Sequence, residues 1–491
     1  MKYKLMGIVM MAIIILTAMM AKPTEVNEKK GRIHQHLTYR RDTGCDCDGT
    51  HFCTHLPLVV IDTEGQEIPG RPTGEFDWLH QEIHSTAEDG LPTIRVNVKV
   101  IDNQNRNNHP DDKPVFTTLC DTHIRGNSSR NFPKPSYALS FVDQAGNAKP
   151  YSVMGMDAHD EWVLNGPILD KSLLRNYLCY NIAGELMHYA PNVRFCEVLI
   201  NGEYEGVYLM VETITDSDIG RLNLSMEAKR QKGIGYLLRV DRPTEEDFES
   251  MRDIFTYNER MLNVGTDYTI RYPGRANLTP EIARNIELDY SQFEKALFSY
   301  DYDTEQFGYQ NWIDVDNFVD YYLINEFVRN SDAGKYSTYI YKEVGQKYRL
   351  CVWDFNNSMD NYQSRVTRPD AFGAVDMGWF YMLFKDEKFV QKVIDRYREL
   401  RGSYFSDEYL MNYIDDTLTY LGPAVDRNSE RWAEAISDWN ALEPASRNRR
   451  SQEEGVQQIK DFLQQRGEWM DDNIEALKQY GHTSHNKAFN H

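Results

Sequence analysis

The sequence predicts an α+β chain with a helical C-terminal region, and three observations carry that prediction. Ile94, Val96, Val98 and Val100 alternate strictly with polar residues, the period of a half-buried strand. Asn201-Gly202 and residues 343–346 each stand between two runs rich in β-branched and aromatic residues, the pattern of a hairpin. From Met382 onward the period becomes helical, most plainly where Val456, Ile459, Phe462, Leu463, Trp469, Met470 and Ile474 share one face. A chain of 491 residues with 41% hydrophobic content is long enough for one large two-lobed domain, or two ordinary ones, around a real core.

In chain order, Lys2 and Lys4 precede an apolar run from Leu5 to Met20, which predicts a secretory signal peptide over residues 1–21, or a signal anchor where it stays uncleaved. No cysteine follows that run closely, so a lipoprotein anchor is not indicated. Residues 22–55 are polar and broken by Gly and Lys pairs, a Cys-containing leader or linker. The domain proper is expected over 56–480. Strands are predicted at 58–61 and 94–100, separated by turns at Gly65, Pro69, Gly70 and Pro72, and again at 137–141 after Lys134. Helical spacing runs over 170–188 through Leu173, Leu174, Tyr177, Leu178, Ile182 and Leu186, with Asp170 as N-cap. A hairpin pairs 194–200 with 205–211. Residues 244–309 are polar and mixed apart from a helix at 280–298. A helix over 316–328 follows, its Phe318, Tyr322, Ile324 and Phe327 in the core, and delivers Asp332. The tail, 481–491, is polar with His482, His485 and His491 and is expected to be disordered.

Net charge is −21 and the pI about 5.1, which argues against non-specific nucleic-acid binding or attraction to anionic lipid and favours basic partners. Contact with a membrane is expected only through an uncleaved N-terminal segment. Seven cysteines cannot all pair within one chain. Cys45, Cys47 and Cys53 cluster with His51 and His55, a spacing that permits a small Zn²⁺ site and equally a disulfide-tied leader. Cys179, Cys196 and Cys351 stand in apolar surroundings and read as buried small residues.

Function is concentrated in one block. Asn330-Ser331-Asp332 precedes strand-like residues 337–342 and 347–353, which end at Asp354, so the hairpin folds one acid back toward the other. Phosphoryl transfer needs one carboxylate to orient a nucleophile and one to hold a metal on the phosphates, and protein kinases present them in this order. An isolated pair of Asp residues is ordinarily a turn cap and a loop start, so the assignment requires further motifs.

Those motifs are present: Arg125-Gly126-Asn127-Ser128-Ser129 with residues 133–137, Trp162-Val163-Leu164-Asn165 with residues 170–176, residues 197–209, and the Asp332 to Asp354 block. Together they resemble the CotH family of atypical kinases, in order and over roughly residues 56–479. The resemblance implies an atypical protein-kinase-like fold, N-lobe-like over about 56–212 and C-lobe-like over about 213–480, that uses ATP with Mg²⁺ or Mn²⁺. It implies Asp332 as catalytic base and Asp354 as metal ligand, with Asn356 as a second ligand where family members commonly carry an acid; an amide carbonyl can still ligate Mg²⁺. Lys335 likewise replaces an Arg usual three residues past the catalytic Asp. Arg125 and Lys134, flanking a turn whose Asn127 and Ser128 can bring backbone N–H groups near phosphate oxygens, are the expected phosphate cations. Glu185 is the expected partner of Lys134, Glu212 stands where a kinase hinge meets adenine, and Arg175 and Asn176 are expected to tie helix to loop.

The implied activity is transfer of the γ-phosphate of ATP to Ser or Thr hydroxyls of a basic or Ser-rich protein, in a secreted, cell-surface or coat setting. The rivals are a nucleotide-binding adhesin or coat-assembly protein that keeps the fold with little or no catalysis, and a hydrolase using the two acids on a carbohydrate.

Overall fold

Alternation along the first part of the chain closes a seven-stranded barrel. Its strands are β1 (Leu58–Asp62), β4 (Ile94–Ile101), β5 (Phe116–Arg125), β6 (Ser136–Val142), β7 (Glu161–Asn165), β8 (Val193–Ile200) and β9 (Glu203–Glu212), ordered β1-β4-β5-β6-β7-β9-β8. A separate ribbon pairs β2 (Pro72–Phe76) with β3 (Glu82–His84). Barrel neighbours are antiparallel except β8 and β1, whose parallel pairing closes the ring and leaves no exposed edge. In this computed structural model the described residues are 32–39, 45–47, 51–76, 82–216, 221–224, 233–242, 253–254, 256–258, 266–375 and 377–484. The expected signal peptide, His485 and His491 lie outside them. Residues 33–491 form one unit, to which the following refers.

Side chains of one parity fill the barrel, among them Val59, Ile61, Val98, Leu139, Phe141, Trp162, Tyr208 and Met210. On β7, β8 and β9 the opposite parity is apolar too: Val163, Phe195, Val207, Leu209 and Val211 belong to the main core. These strands are buried on both faces because α2 (Arg175–Leu186), with all but one residue buried, belongs to that same core. The helix starts five residues later than its spacing predicts. Leu173 takes φ 69°, which interrupts the helical path, and Asp170 caps from a distance by accepting a 2.7 Å hydrogen bond from the Arg175 amide. At the β8–β9 turn Asn201 (φ 51°) and Gly202 (φ 84°) are both left-handed, as a two-residue hairpin turn requires.

Part of the leader packs instead of linking. In α1 (Gln35–Thr38) the Gln35 side chain is buried, accepts from the Phe195 amide at 2.6 Å and donates to the Phe195 carbonyl at 3.1 Å.

A second sheet has the order β11-β12-β10-β13-β14, with β10 (Tyr236–Asp241), β11 (Asp253–Ile254), β12 (Asp267–Tyr272), β13 (Thr338–Lys342) and β14 (Tyr348–Cys351). Around it stand α3 (Pro280–Leu297), α4 (Val315–Phe327), α5 (Phe380–Leu383), α6 (Glu387–Arg401), α7 (Asp407–Leu421), α8 (Pro423–Arg431), α9 (Ala433–Ser437) and α10 (Gln452–Asn473). Asp314 caps α4 by accepting from the Asn317 amide, and every residue of that helix from Asn317 to Phe327 is buried, so it runs through the core. Its Glu326 forms a fully buried ion pair with Arg466 of α10 at 2.5 Å and accepts from the Gly373 and Ala374 amides. Cys120, Cys179, Cys196 and Cys351 are buried. The tail is described to Ser484, and the His482 amide donates to the Lys385 carbonyl, so structure continues past the expected end of order. No helix among the described residues is long and apolar enough to cross a membrane.

Candidate active site

The polar residues with the most distinctive surroundings gather where strands of the second sheet end. β10 closes on Asp241, β13 and β14 are paired by Tyr339↔Cys351, and α4 runs into the turn that carries Asp332. Two amides join these segments. Asn330 Nδ2 donates to Asn325 Oδ1 at 3.0 Å and to the Asp354 carbonyl at 3.1 Å, and Asn357 Nδ2 donates to Asp332 Oδ2 at 2.6 Å. The hairpin therefore does bring the Asp332 and Asp354 loops together.

From the opposite side α2 grips the second loop. The Asp354 amide donates to Tyr180 Oη at 3.0 Å, the Phe355 amide to Asn176 Oδ1 at 2.8 Å, and Asn176 Nδ2 donates to Asn356 Oδ1 at 3.1 Å. Arg175 extends the grip, with Nε and Nη2 donating to the Ser358 and Met359 carbonyls and Nη2 also to Gln458 of α10, while its charge is met by buried Asp170. Of nine non-glycine residues with positive φ among the described residues, five lie in this region: Arg329, Ser337, Asp354, Met359 and Asp360. Such backbone persists where surrounding contacts over-determine it, and it clusters at functional sites.

Electrostatically the site holds three interacting acids. Burial raises the pKa of Asp332 above its ordinary value, opposed by the Asn357 hydrogen bond and the charges of Lys335 and Arg242. Burial also raises that of Asp354, the charge of Asp332 adds to the effect, and Arg125 opposes it; the Asp241 charge pushes both upward. Cations surround them. Arg125 stacks its guanidinium 5.6 Å from the Trp353 ring centroid, Arg242 lies 3.9 Å from that of Tyr336, and the pKa of Lys335 is lowered by burial and by Arg365. One oxygen stands out: Asp332 Oδ1 is buried and accepts no hydrogen bond, although its partner oxygen does. A buried carboxylate oxygen without a donor is costly in the free protein and is satisfied when a hydroxyl or a cation occupies its lone pairs.

The expected residues divide into two groups. Asp332, Asp354, Asn356 and Arg125 fall in this region, and Asn127 and Ser128 are exposed in the turn that follows Arg125. Lys134 and Glu212 have other partners. Lys134 is buried, its Nζ donating to the Val207 carbonyl at 2.5 Å and Asn428 Oδ1 at 2.9 Å and lying 4.5 Å from the Tyr208 ring centroid. Burial lowers its pKa to about 7, and its charged neighbours are Glu205, Glu197 and Arg431. The expected Lys134–Glu185 pair is not formed, because Glu185 accepts from His34 and Tyr404. Glu212 sits at the barrel rim with its amide donating to the Asn192 carbonyl and its carboxylate accepting from Asn192, so that N–H is committed.

Asp241, Arg242, Asn357, Tyr180 and Arg365 are not singled out by the sequence, and Asn330, part of the Asn330-Ser331-Asp332 run, gains its bracing role only from the structure. For Asp241-Arg242-Pro243 the signal was an acid closing an apolar strand just before a proline.

The fold and site define an α+β protein with paired, half-buried carboxylates ringed by cations. A family profile described as CotH kinase protein matches residues 122–470, well over half of the chain, and the chain belongs to the CotH family. Inner spore coat protein H of Bacillus subtilis (strain 168) is 33% identical over 123 residues, which is 23% of this chain and 32% of that protein. The chain thus spans about a third of the length of the curated relative it matches.

Proposed function

We propose that this CotH protein is a two-lobed, kinase-like phosphotransferase, with the barrel (about 56–212) in the place of an N-lobe and residues 213–480 in that of a C-lobe. The observation that carries the proposal is Asp332 Oδ1, buried and without a donor beside a second acid and a set of cations. In this reading Oδ1 accepts the proton of the attacking Ser or Thr hydroxyl, while Asn357 holds Oδ2 and so fixes the carboxylate's orientation. The Asp354 carboxylate and the Asn356 amide carbonyl are hard oxygen donors suited to Mg²⁺ or Mn²⁺, and they would hold it. When bound, the ion neutralises charge on the phosphates of ATP. Arg125, Lys335, Arg242 and Arg365 supply positive charge to the transferring group, with the Asn127-Ser128 turn next to Arg125; Lys134 and Glu212 are left out. The acidic chain favours basic acceptor proteins, and the coat protein among its relatives supports an acceptor at a cell surface or coat.

A second reading is favoured by one observation: Lys134 and the Glu212 amide are both committed inside the fold. In that reading the protein binds nucleotide and acts in assembly without turnover.

Transfer of labelled γ-phosphate to a basic acceptor, with Mg²⁺ or Mn²⁺, separates the two. Wild type is expected to label the acceptor, and Asp332→Ala and Asp354→Ala each to lose at least about 100-fold in rate, the order seen when one group that stabilises a transition state is removed. Metal-dependent ATP binding with no transfer by wild type would establish the second reading instead.

A further inference from the structure

The barrel carries another group of reactive side chains, built by the leader and the β4–β5 connection. The sulfur atoms of Cys45, Cys47 and Cys53 and a ring nitrogen of His109 all lie within 4.8 Å of one another. Each half of the group is fixed from behind. Thr54, next to Cys53, exchanges two backbone hydrogen bonds with Asn108, and Asn107 Nδ2 donates to Cys53 Sγ at 3.3 Å. The His109 amide and Nδ1 both face Asp112 Oδ2, at 3.0 and 3.4 Å, and Asp112 is itself held by Asn103 and Arg106. With Nδ1 committed to a carboxylate, Nε2 is left facing Cys45 Sγ at 3.6 Å.

We propose that Cys45, Cys47, Cys53 and His109 bind one Zn²⁺ as a closed structural site. Zn–S bonds of about 2.3 Å and a Zn–N bond of about 2.0 Å set sulfur and nitrogen about 3.6 Å apart around a tetrahedral ion, and sulfurs about 3.8 Å apart. The Cys45–His109 spacing already has that value, and the other pairs need to close by no more than about 1 Å. Three thiolates and an imidazole are soft and borderline donors that select zinc over magnesium or calcium. A carboxylate on the far nitrogen of a ligating histidine is the usual outer support of such a site, fixing tautomer and ring plane. A disulfide would use two of the three thiols and give His109 no role. Of the histidines named from the sequence, His55 instead directs Nε2 to the Tyr420 carbonyl at 2.6 Å, and His51 is exposed; the fourth ligand lies 64 residues beyond Cys45. Binding releases the three thiol protons to solvent and staples Cys45, Cys47 and Cys53 onto the connection that leads into β5.

The test is metal analysis of the intact chain purified without chelator, combined with thiol titration after denaturation in EDTA. One zinc per chain and all seven thiols free are expected. His109→Ala and Cys45→Ser should each lower zinc occupancy at a fixed competing chelator concentration by at least tenfold while the circular-dichroism spectrum is unchanged. Replacement by Co²⁺ should give a thiolate-to-cobalt charge-transfer band that weakens in Cys45→Ser, a readout independent of phosphotransfer. Seven free thiols with no zinc retained or taken up would overturn the proposal, and five free thiols would replace it with a disulfide.

Discussion

At the scale of single residues, Asn357 and Asp354 give separable expectations. The Asn357 hydrogen bond favours the charged form of Asp332, so Asn357→Ala should raise the pKa of that acid beyond the increase burial already imposes. The acid limb of the pH–rate profile should then move to higher pH, with a fall in kcat; a lower kcat with an unmoved limb would remove Asn357 from this role. For Asp354 the native pKa is raised above that of the unfolded chain, about 3.9. In the window between those values the native state binds more protons than the unfolded state, so stability falls as pH rises through it. Asp354→Asn keeps an oxygen for the Asn356 amide, tolerates the left-handed backbone and deletes the charge. It should raise Tm at pH 7, and the gain should vanish by about pH 3, below both pKa values. The rise in wild-type Tm that the proposed Mg²⁺ and ATP binding predicts should be absent in the same variant.

At the scale of elements, Glu326 and Arg466 join α4 to α10 through an ion pair that neither end exposes. Arg466→Ala would strand a buried carboxylate and should cost about 3–5 kcal/mol, measured by urea denaturation. The elements also show what was legible in the chain. The β13–β14 hairpin and the Asn201-Gly202 turn were readable because their partners are sequence neighbours, and with the first came Asp332 and Asp354. β5, β10 and β12 were missed although β5 alternates, because Thr, Cys and His at its inward or half-buried positions blur the apolar signal. Asn357, Asp241 and Arg365 were missed because their roles depend on which strand ends meet, a non-local fact. Lys134 shows the converse: its position at the mouth of β6 is legible locally, but only the packing of α8 against β9 directs its ammonium to Val207 and Asn428 and away from the acids.

At the scale of the whole molecule, a net charge of −21 should steer basic acceptors toward the protein. The kcat/KM for such an acceptor is expected to fall as salt rises through physiological ionic strength, where the screening length is about 8 Å, while that for an acidic acceptor stays flat or rises. Equal salt dependence for both would show that net charge plays no part in acceptor choice.

Gln458 accepts from Arg175 and donates to the Asp360 carbonyl, 98 residues upstream in the chain. The loop after Asp354 therefore receives its last support from a helix that the ribosome makes long after both carboxylates have emerged. A chain cut before that helix would keep the β13–β14 pairing and the Asn330 hydrogen bond that join the two acidic loops, and would lose the Gln458 bridge from Arg175 to Asp360.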